Sequence, residues 1–233
     1  EKDHVKLIAK LQCPASAPWP WRPAPATPFS MSVDRSARAW VLYSSGEIFF
    51  VDTADGKCRA SPYQRGQAGY KLFGMGFVTD AKGSSKEKLF IAGASNEQSP
   101  KKYGHITPAT LKITEVGPTA VAEYSPELTG TGNGELYAYY PGTTSSFVAR
   151  VDKSTGKTVK QWPVTTPGGQ VTAWAFAHWG GKFYIFVTTS SGLSEQSRVL
   201  RLDPGSGQST TYLSSIPYKI VGAGVSTCAP VID

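Results

Sequence analysis

Val151-Asp152-Lys153-Ser154-Thr155-Gly156-Lys157 (VDKSTGK) is the stretch from which the rest of the chain can be read, because variants of it recur three more times. The chain reads VDTADGK around Asp52, ITPATLK around Thr107 and LDPGSGQ around Asp203. A carboxylate at the end of a strand accepts hydrogen bonds from the N–H groups of the tight turn that follows, and the glycine supplies the positive φ which that turn needs. The motif is therefore structural. The Thr107 copy has Leu111 where the others have glycine, so its turn is expected to be looser or of another type.

Each copy closes the third of four short β-rich runs. The first set is FSMSVD (29–34), AWVLYS (39–44), EIFFVD (47–52) and CRASPY (58–63). The second is LFGMGFVTD (72–80), KLFIAGA (88–94), HIT with PATLK, and a run from Ile113. The third has an inner run within 122–134, then ELYAYY (135–140), SFVARVD (146–152) and TVKQWPV (158–164). The fourth is AWAFAHWGG (173–181), KFYIFVTT (182–189), SRVLRLD (197–203) and STTYLSS (209–215), and IVGAGVSTC (220–228) then looks like one more inner run. Self-similarity at a period of about fifty residues signals a β-propeller or solenoid. Small residues in the inner runs, Gly74, Gly76, Gly130, Gly132, Gly222, Gly224, Ala175 and Ala177, suit wedge-shaped blades converging on an axis.

The expected fold is thus an all-β small propeller. A fifth inner run without partners leaves an open edge that needs cover, and the only spare strand-like material is Val5–Leu11. Five blades, the last shared between the two chain ends, is the first expectation; four blades with an appended strand is the second. Residues 1–28 form the N-terminal strand and a proline-rich strap, and 29–233 a single propeller domain. In the strap, Pro14–Pro28, proline recurs too often for a helix or a ladder. It reads as a tether across the surface, or as an arm presenting Trp19 and Trp21 to a partner.

The 233 residues are 40% hydrophobic, 12% aromatic and 18% charged, which describes a globular chain, while 24 Gly and 17 Pro indicate many turns. The net charge of +7 is dispersed, with Lys101-Lys102 among the few pairs, so no nucleic-acid stripe is built. No apolar run is long enough to span a membrane. A start at Glu1 instead of Met is compatible with a cleaved leader.

VDKSTGKTVKQWPV and VDTADGKC resemble the turn between third and outer strands of quinoprotein-type propeller repeats. FSMSVDRSARAWVLYSSG together with GAGVSTCAP is similar to propeller proteins exported by soil bacteria such as myxobacteria, often as lipoproteins. The resemblance implies an extracytoplasmic location and a membrane tether through a removed or modified N-terminus. It implies no particular chemistry.

Three cysteines, Cys13, Cys58 and Cys228, allow one internal disulfide and one free thiol. Cys58 follows a turn and Cys228 ends an inner run on the same face of the ring, so a Cys58–Cys228 bridge across the seam is expected, with Cys13 joined to either as the rival pairing.

His4, His105 and His178 have no metal-binding spacing, and no nucleophile elbow or phosphate loop is present. Aligning the repeats brings Asp34, Asp80, Asn133 and His178 to one end of the axis. They could ring a Ca²⁺, or be ordinary turn formers. The opposite face carries the longer loops, Gly93–Gly104 with Asn96, Glu97, Gln98, Lys101, Lys102 and Tyr103, and Thr188–Ser197. Tyr70, Phe73 and Trp174 near the ends of inner runs would add an aromatic platform for a ligand, or serve as core between blades. The leading expectation is a non-catalytic, extracytoplasmic module that binds a glycan or a protein through the long-loop face. The alternatives are a metal-dependent, lactonase-like hydrolase or lyase, and a structural subunit of a surface assembly gripping its neighbour with the Pro/Trp arm.

Overall fold

The computed structural model describes residues 5–16, 25–96, 99–121, 125–142, 145–166, 168–192 and 194–232. Trp19 and Trp21, and Glu97 and Gln98 of the first long loop, lie outside the described residues, as does His4. Sixteen strands form four antiparallel four-stranded sheets, each in simple sequence order. Blade 1 is β1 (Pro28–Val33), β2 (Arg38–Tyr43), β3 (Ile48–Asp52) and β4 (Cys58–Ala60), and blade 2 is β5 (Leu72–Thr79), β6 (Glu87–Ala94), β7 (Lys102–Thr107) and β8 (Lys112–Pro118). Blade 3 is β9 (Glu127–Gly130), β10 (Leu136–Tyr140), β11 (Ser146–Val151) and β12 (Thr158–Val164), and blade 4 is β13 (Gln170–Trp179), β14 (Lys182–Ser191), β15 (Ser194–Leu202) and β16 (Ser209–Ile216). A single 3-10 turn, Gln67–Gly69, is the one helical element among the described residues. The chain is a small β-propeller.

The repeated turns share their backbone hydrogen bonding. The Gly56, Gly156 and Gly207 amides donate to the carbonyls of Asp52, Asp152 and Asp203 at 2.9, 2.9 and 2.8 Å, with φ between 72° and 74° at the glycines. Asp52, Asp152 and Asp203 accept turn amides through Oδ1 at 2.8 Å. The Thr107 turn, expected to be looser, is the same turn: the Leu111 amide donates to the Thr107 carbonyl at 2.8 Å and Leu111 itself adopts φ 56°. Its side chain is buried in the core between blades 1 and 2, and that burial offsets the backbone cost of about 1 kcal/mol for a left-handed non-glycine residue.

Three apolar cores fill the blade interfaces. Trp40, Leu42, Met75, Phe77 and Ile91 join blades 1 and 2; Val78, Leu128, Tyr140 and Val151 join blades 2 and 3; Tyr139, Trp162, Phe176 and Phe183 join blades 3 and 4. A fourth cluster covers the remaining face of blade 1, where Leu11, Cys13, Ala15 and Ala26 lie on Val41, Tyr43, Phe49 and Val51.

The expectation of five blades is corrected to four. Residues 219–226 follow β16 to the axis and run beside β1, where a Cβ on Gly222 or Gly224 would meet the Ser30–Ser32 backbone at 2.6–3.2 Å, yet they join no ladder. An inner position can be filled by one segment with no second, third or outer strand beside it, so counting inner runs overcounts blades. Val5–Leu11 does not pair as a closing strand either. It lies over a groove shared with Pro28, Met31, Tyr218 and Val221, and Val5, Leu7 and Ile8 remain exposed.

The cysteine pairing is corrected with it. Cys13 is bonded to Cys58, and Cys228 is free and exposed. Cys58 opens the outermost strand of blade 1, whereas Cys228 ends a segment beside the innermost one. Three strand spacings of about 4.8 Å, roughly 14 Å, separate β4 from β1 alone, and the Cys228 segment lies outside that sheet beyond β1, which is well past disulfide reach.

Candidate functional site

Inner strands of neighbouring blades approach one another without forming ladders, and side-chain oxygens take over the amides left between them. Ser32 Oγ accepts from the Phe77 amide at 3.0 Å, and Thr129 Oγ1 from the His178 amide at 3.1 Å. Glu127 accepts from the Met75 amide and from the Ser30 hydroxyl, the latter at 3.0 Å. Small and hydroxyl-bearing residues therefore line the axis because each must satisfy a neighbouring backbone in a space too narrow for larger groups.

One end of the axis is crossed by the C-terminal segment. The Thr227 hydroxyl donates to Glu87 Oε2 at 2.7 Å and accepts from Arg35 Nη1 at 3.3 Å, while the Arg35 amide donates to Glu87 Oε1 at 2.8 Å. The Thr227 carbonyl lies 2.4 Å from where a Cβ of Gly132 would stand, and the Gly180 amide donates to the Pro230 carbonyl at 2.9 Å. Residues 227–230 thus touch the inner-hairpin turns of all four blades. Burial raises the Glu87 carboxyl above its ordinary range, against the lowering effect of these donors.

This is the end where Asp34, Asp80, Asn133 and His178 were expected to meet. Asp34 Oδ1 accepts the Ser36 and Arg38 amides, and Oδ2 accepts Arg38 Nε and Trp40 Nε1, all within 3.0 Å. The counterpart of Asp34 in blade 3 is Thr131, not Asn133, since Thr131 Oγ1 takes the Asn133 and Glu135 amides in the same way. Asp80 lies 3.8 Å from Lys88 Nζ. His178 is buried, its ring stacked on Tyr137, and burial holds its protonation below the ordinary histidine value. Among the described residues no three histidine, cysteine or carboxylate side chains form a metal-holding group. Asp34→Ala is expected to lower stability by about 1–3 kcal/mol in denaturant unfolding, the cost of leaving the buried Trp40 N–H without its acceptor.

The other end of the axis opens into a pocket of about 260 Å³ on the long-loop face. All four inner strands and the C-terminal segment contribute to its wall, with Phe29, Gly74, Glu127, Thr172, Trp174 and Val221. Ser44, which also lines it, accepts the Thr27 amide at 3.0 Å. At the rim the Thr172 hydroxyl donates to Glu195 Oε1 at 2.7 Å, and Lys219 Nζ donates to the same oxygen at 2.8 Å. The second long loop, Thr188–Ser197, is no loop: β14 and β15 run through it, paired as far as Ser191 and Ser194.

Of the seven residues expected to form a ligand platform, Trp174 lines this pocket. Phe73 and Tyr70 are fully buried between blades 1 and 2, where the Tyr70 hydroxyl donates to the Tyr103 carbonyl at 2.9 Å. Tyr103 is buried and its hydroxyl is bonded to that of Tyr140. Lys102 pairs with Glu115 and stands over the Tyr70 ring, Lys101 Nζ donates to the Ser99 carbonyl, and Asn96 Oδ1 accepts the Ser99 amide and hydroxyl. Glu127 was missed. Its signal is a carboxylate at the head of an inner strand whose counterparts in blades 1 and 2 carry serine or glycine.

No protein-family model matches the chain, and no curated protein matches it. Solved structures do. A thermostable family-43 glycoside hydrolase aligns with a TM-score of 0.53 at 10% identity, over 80% of this chain and 72% of that one. A glycoside hydrolase aligns at 0.51 and 9% identity over 86% of this chain and 53% of that one. TolB from Acinetobacter baumannii aligns at 0.50 and 14% identity over 82% and 44%. At these identities the likeness is one of fold, and the chain spans about half the length of the last two.

Proposed function

We propose that this chain is an extracytoplasmic binding module that receives the end of a glycan in the axial pocket on its long-loop face. The observation carrying this reading is the asymmetry of the axis, crossed by residues 227–230 at one end and open at the other into a pocket combining the half-buried Trp174 ring with hydroxyls and a buried carboxyl. An aromatic face beside fixed hydrogen-bonding groups is the combination that a sugar ring, apolar on one side and hydroxylated at its edge, can use. A binding role is favoured over glycoside cleavage because that chemistry uses two carboxyl groups flanking the bond, and Glu127 is the sole carboxyl in the described wall. The Cys13–Cys58 bridge supports an oxidising compartment.

A glycan array followed by calorimetry on the strongest hit tests this. Trp174→Ala should weaken binding about thirtyfold, the effect of truncating an aromatic anchor worth about 2 kcal/mol, measured on the folded variant because Trp174 also packs against the core between blades 3 and 4. An array without hits, or an alanine variant that binds as tightly, would remove the proposal in favour of a protein ligand.

A further inference from the structure

We infer that Glu127 is the specificity-determining residue of the axial pocket, a neutral carboxylic acid that offers its proton to an acceptor oxygen of an uncharged sugar and disfavours ammonium- or carboxylate-bearing ones. The inference rests on the glycan reading above. Glu127 is 4% exposed. Its protein partners are the Ser30 hydroxyl from β1 and the Met75 amide from β5. Neither carries charge.

No cation stands in the described wall. Strands β1, β5 and β13 and the C-terminal segment present Phe29, Ser30, Gly74, Ala173, Trp174 and Val221, none titratable. The charged groups joined to the wall are Glu195 and Lys219, and Lys219 is bonded to Glu195. An ionised carboxylate here would be a buried, unpaired charge at a cost of several kcal/mol. Taking up a proton is the cheaper course, and burial accordingly raises Glu127 well above 4.5, outweighing its two donors.

Once Glu127 is neutral, the Ser30–Glu127 pair holds two O–H protons for the one hydrogen bond between them. Whichever group donates, one proton is left over, and its two protein partners, the Ser30 hydroxyl and the Met75 amide, offer no second acceptor for it. A buried donor without a partner costs about 1–3 kcal/mol, and Glu127 borders the pocket. A hydroxyl, ring or carbonyl oxygen of a sugar would fill that need. Beside Glu127 itself a ligand ammonium would find no anion to pair with, and a ligand carboxylate no cation, the rim charges Glu195 and Lys219 being already paired with each other.

The sign of the pH dependence follows. The protonated form binds and persists above 4.5 because the value is raised, so affinity falls as pH rises through it. Glu195 is held below its ordinary range, first by its bond to Lys219, and is already ionised across that window.

Two measurements test this. In ligand-free protein labelled at the glutamate carboxyl carbons, one resonance should keep its protonated shift to a pH clearly above that at which the exposed glutamates titrate, and be absent from Glu127→Gln. Titration of every glutamate near the ordinary value overturns the inference whatever the ligand proves to be. With the strongest uncharged glycan from the array, Glu127→Gln, whose amide still donates, should bind within about threefold of wild type, and Glu127→Leu should lose about tenfold or more. An equal loss in both variants, or tighter binding of an amino sugar than of its N-acetyl form, also overturns it. If no glycan binds while the protonated resonance is present, the glycan reading fails and the neutral state of Glu127 stands.

Discussion

Gly74→Ala is expected to cost about 3 kcal/mol or more of stability, enough to leave much of the protein unfolded. Gly74 lies on β5 where it passes β9, and a Cβ there would stand 2.1 Å from the Pro126 carbonyl oxygen and 2.9 Å from the Glu127 Cα. Both obstacles are backbone, so no rotamer change relieves them. Moving β9 outward would pull Glu127 off the Met75 amide and open the buried contacts of Leu128 between blades 2 and 3. Gly168→Ala is the control, since nothing lies within 4 Å of its added methyl, and it should change stability by no more than about 0.5 kcal/mol. Denaturant unfolding of the two variants beside wild type checks this. A Gly74→Ala protein within 1 kcal/mol of wild type by that measure would show that the inner strands are not in close contact. Because Gly74 also lines the axial pocket, any folded fraction should bind ligand poorly.

Cys13→Ser has the second largest expected effect. The bridge to Cys58 closes a loop spanning 45 residues, and the chain-entropy argument assigns such a cross-link about 4 kcal/mol, with measured losses commonly nearer 2. A packing contribution adds to it. The bridge pins Leu11, Cys13 and Ala15 on the outer face of blade 1, over Val41, Tyr43, Phe49 and Val51, a face that no neighbouring blade covers. Without it, this apolar face should become accessible, seen as binding of a hydrophobic dye and as early proteolysis between the N-terminus and β1. Reduction of the wild type should reproduce the Cys13→Ser melting curve, and Cys228→Ser, at an exposed thiol, should leave the curve unchanged. Non-reducing peptide mapping that linked Cys58 to Cys228 would refute the assignment.

These two expectations also mark how much could be read along the chain. Turn chemistry was legible because its partners are close in sequence: the bond from the Gly156 amide to the Asp152 carbonyl spans four residues, and the same spacing at Asp52, Thr107 and Asp203 located every third strand. Glycines in the inner runs were legible for a related reason, since wedge packing excludes a side chain wherever blades converge. The same glycines in 220–228 misled the blade count, because close approach to β1 needs only one segment and leaves its outward side unspecified. Cysteine pairing failed on radius. The repeat assigns each residue to a face of the ring but says little about how far apart two strands in different blades stand.

The candidate site lay furthest from view. Glu127 meets Ser30 across 97 residues and Met75 in the neighbouring blade, and its burial is a property of the axis that the five inner segments make together. Trp174 was visible as an aromatic at the head of an inner strand, without any sign that it would face a pocket when Phe73, similarly placed, is sealed between blades. The amino-acid order alone is enough for the all-β class, the four-strand repeat and the turns that punctuate it, because each depends on bonds between near neighbours. The number of blades, the Cys13–Cys58 pairing, the segment across one end of the axis and the pocket at the other depend on contacts between residues tens to hundreds of positions apart, which exist only once the blades have packed around the axis.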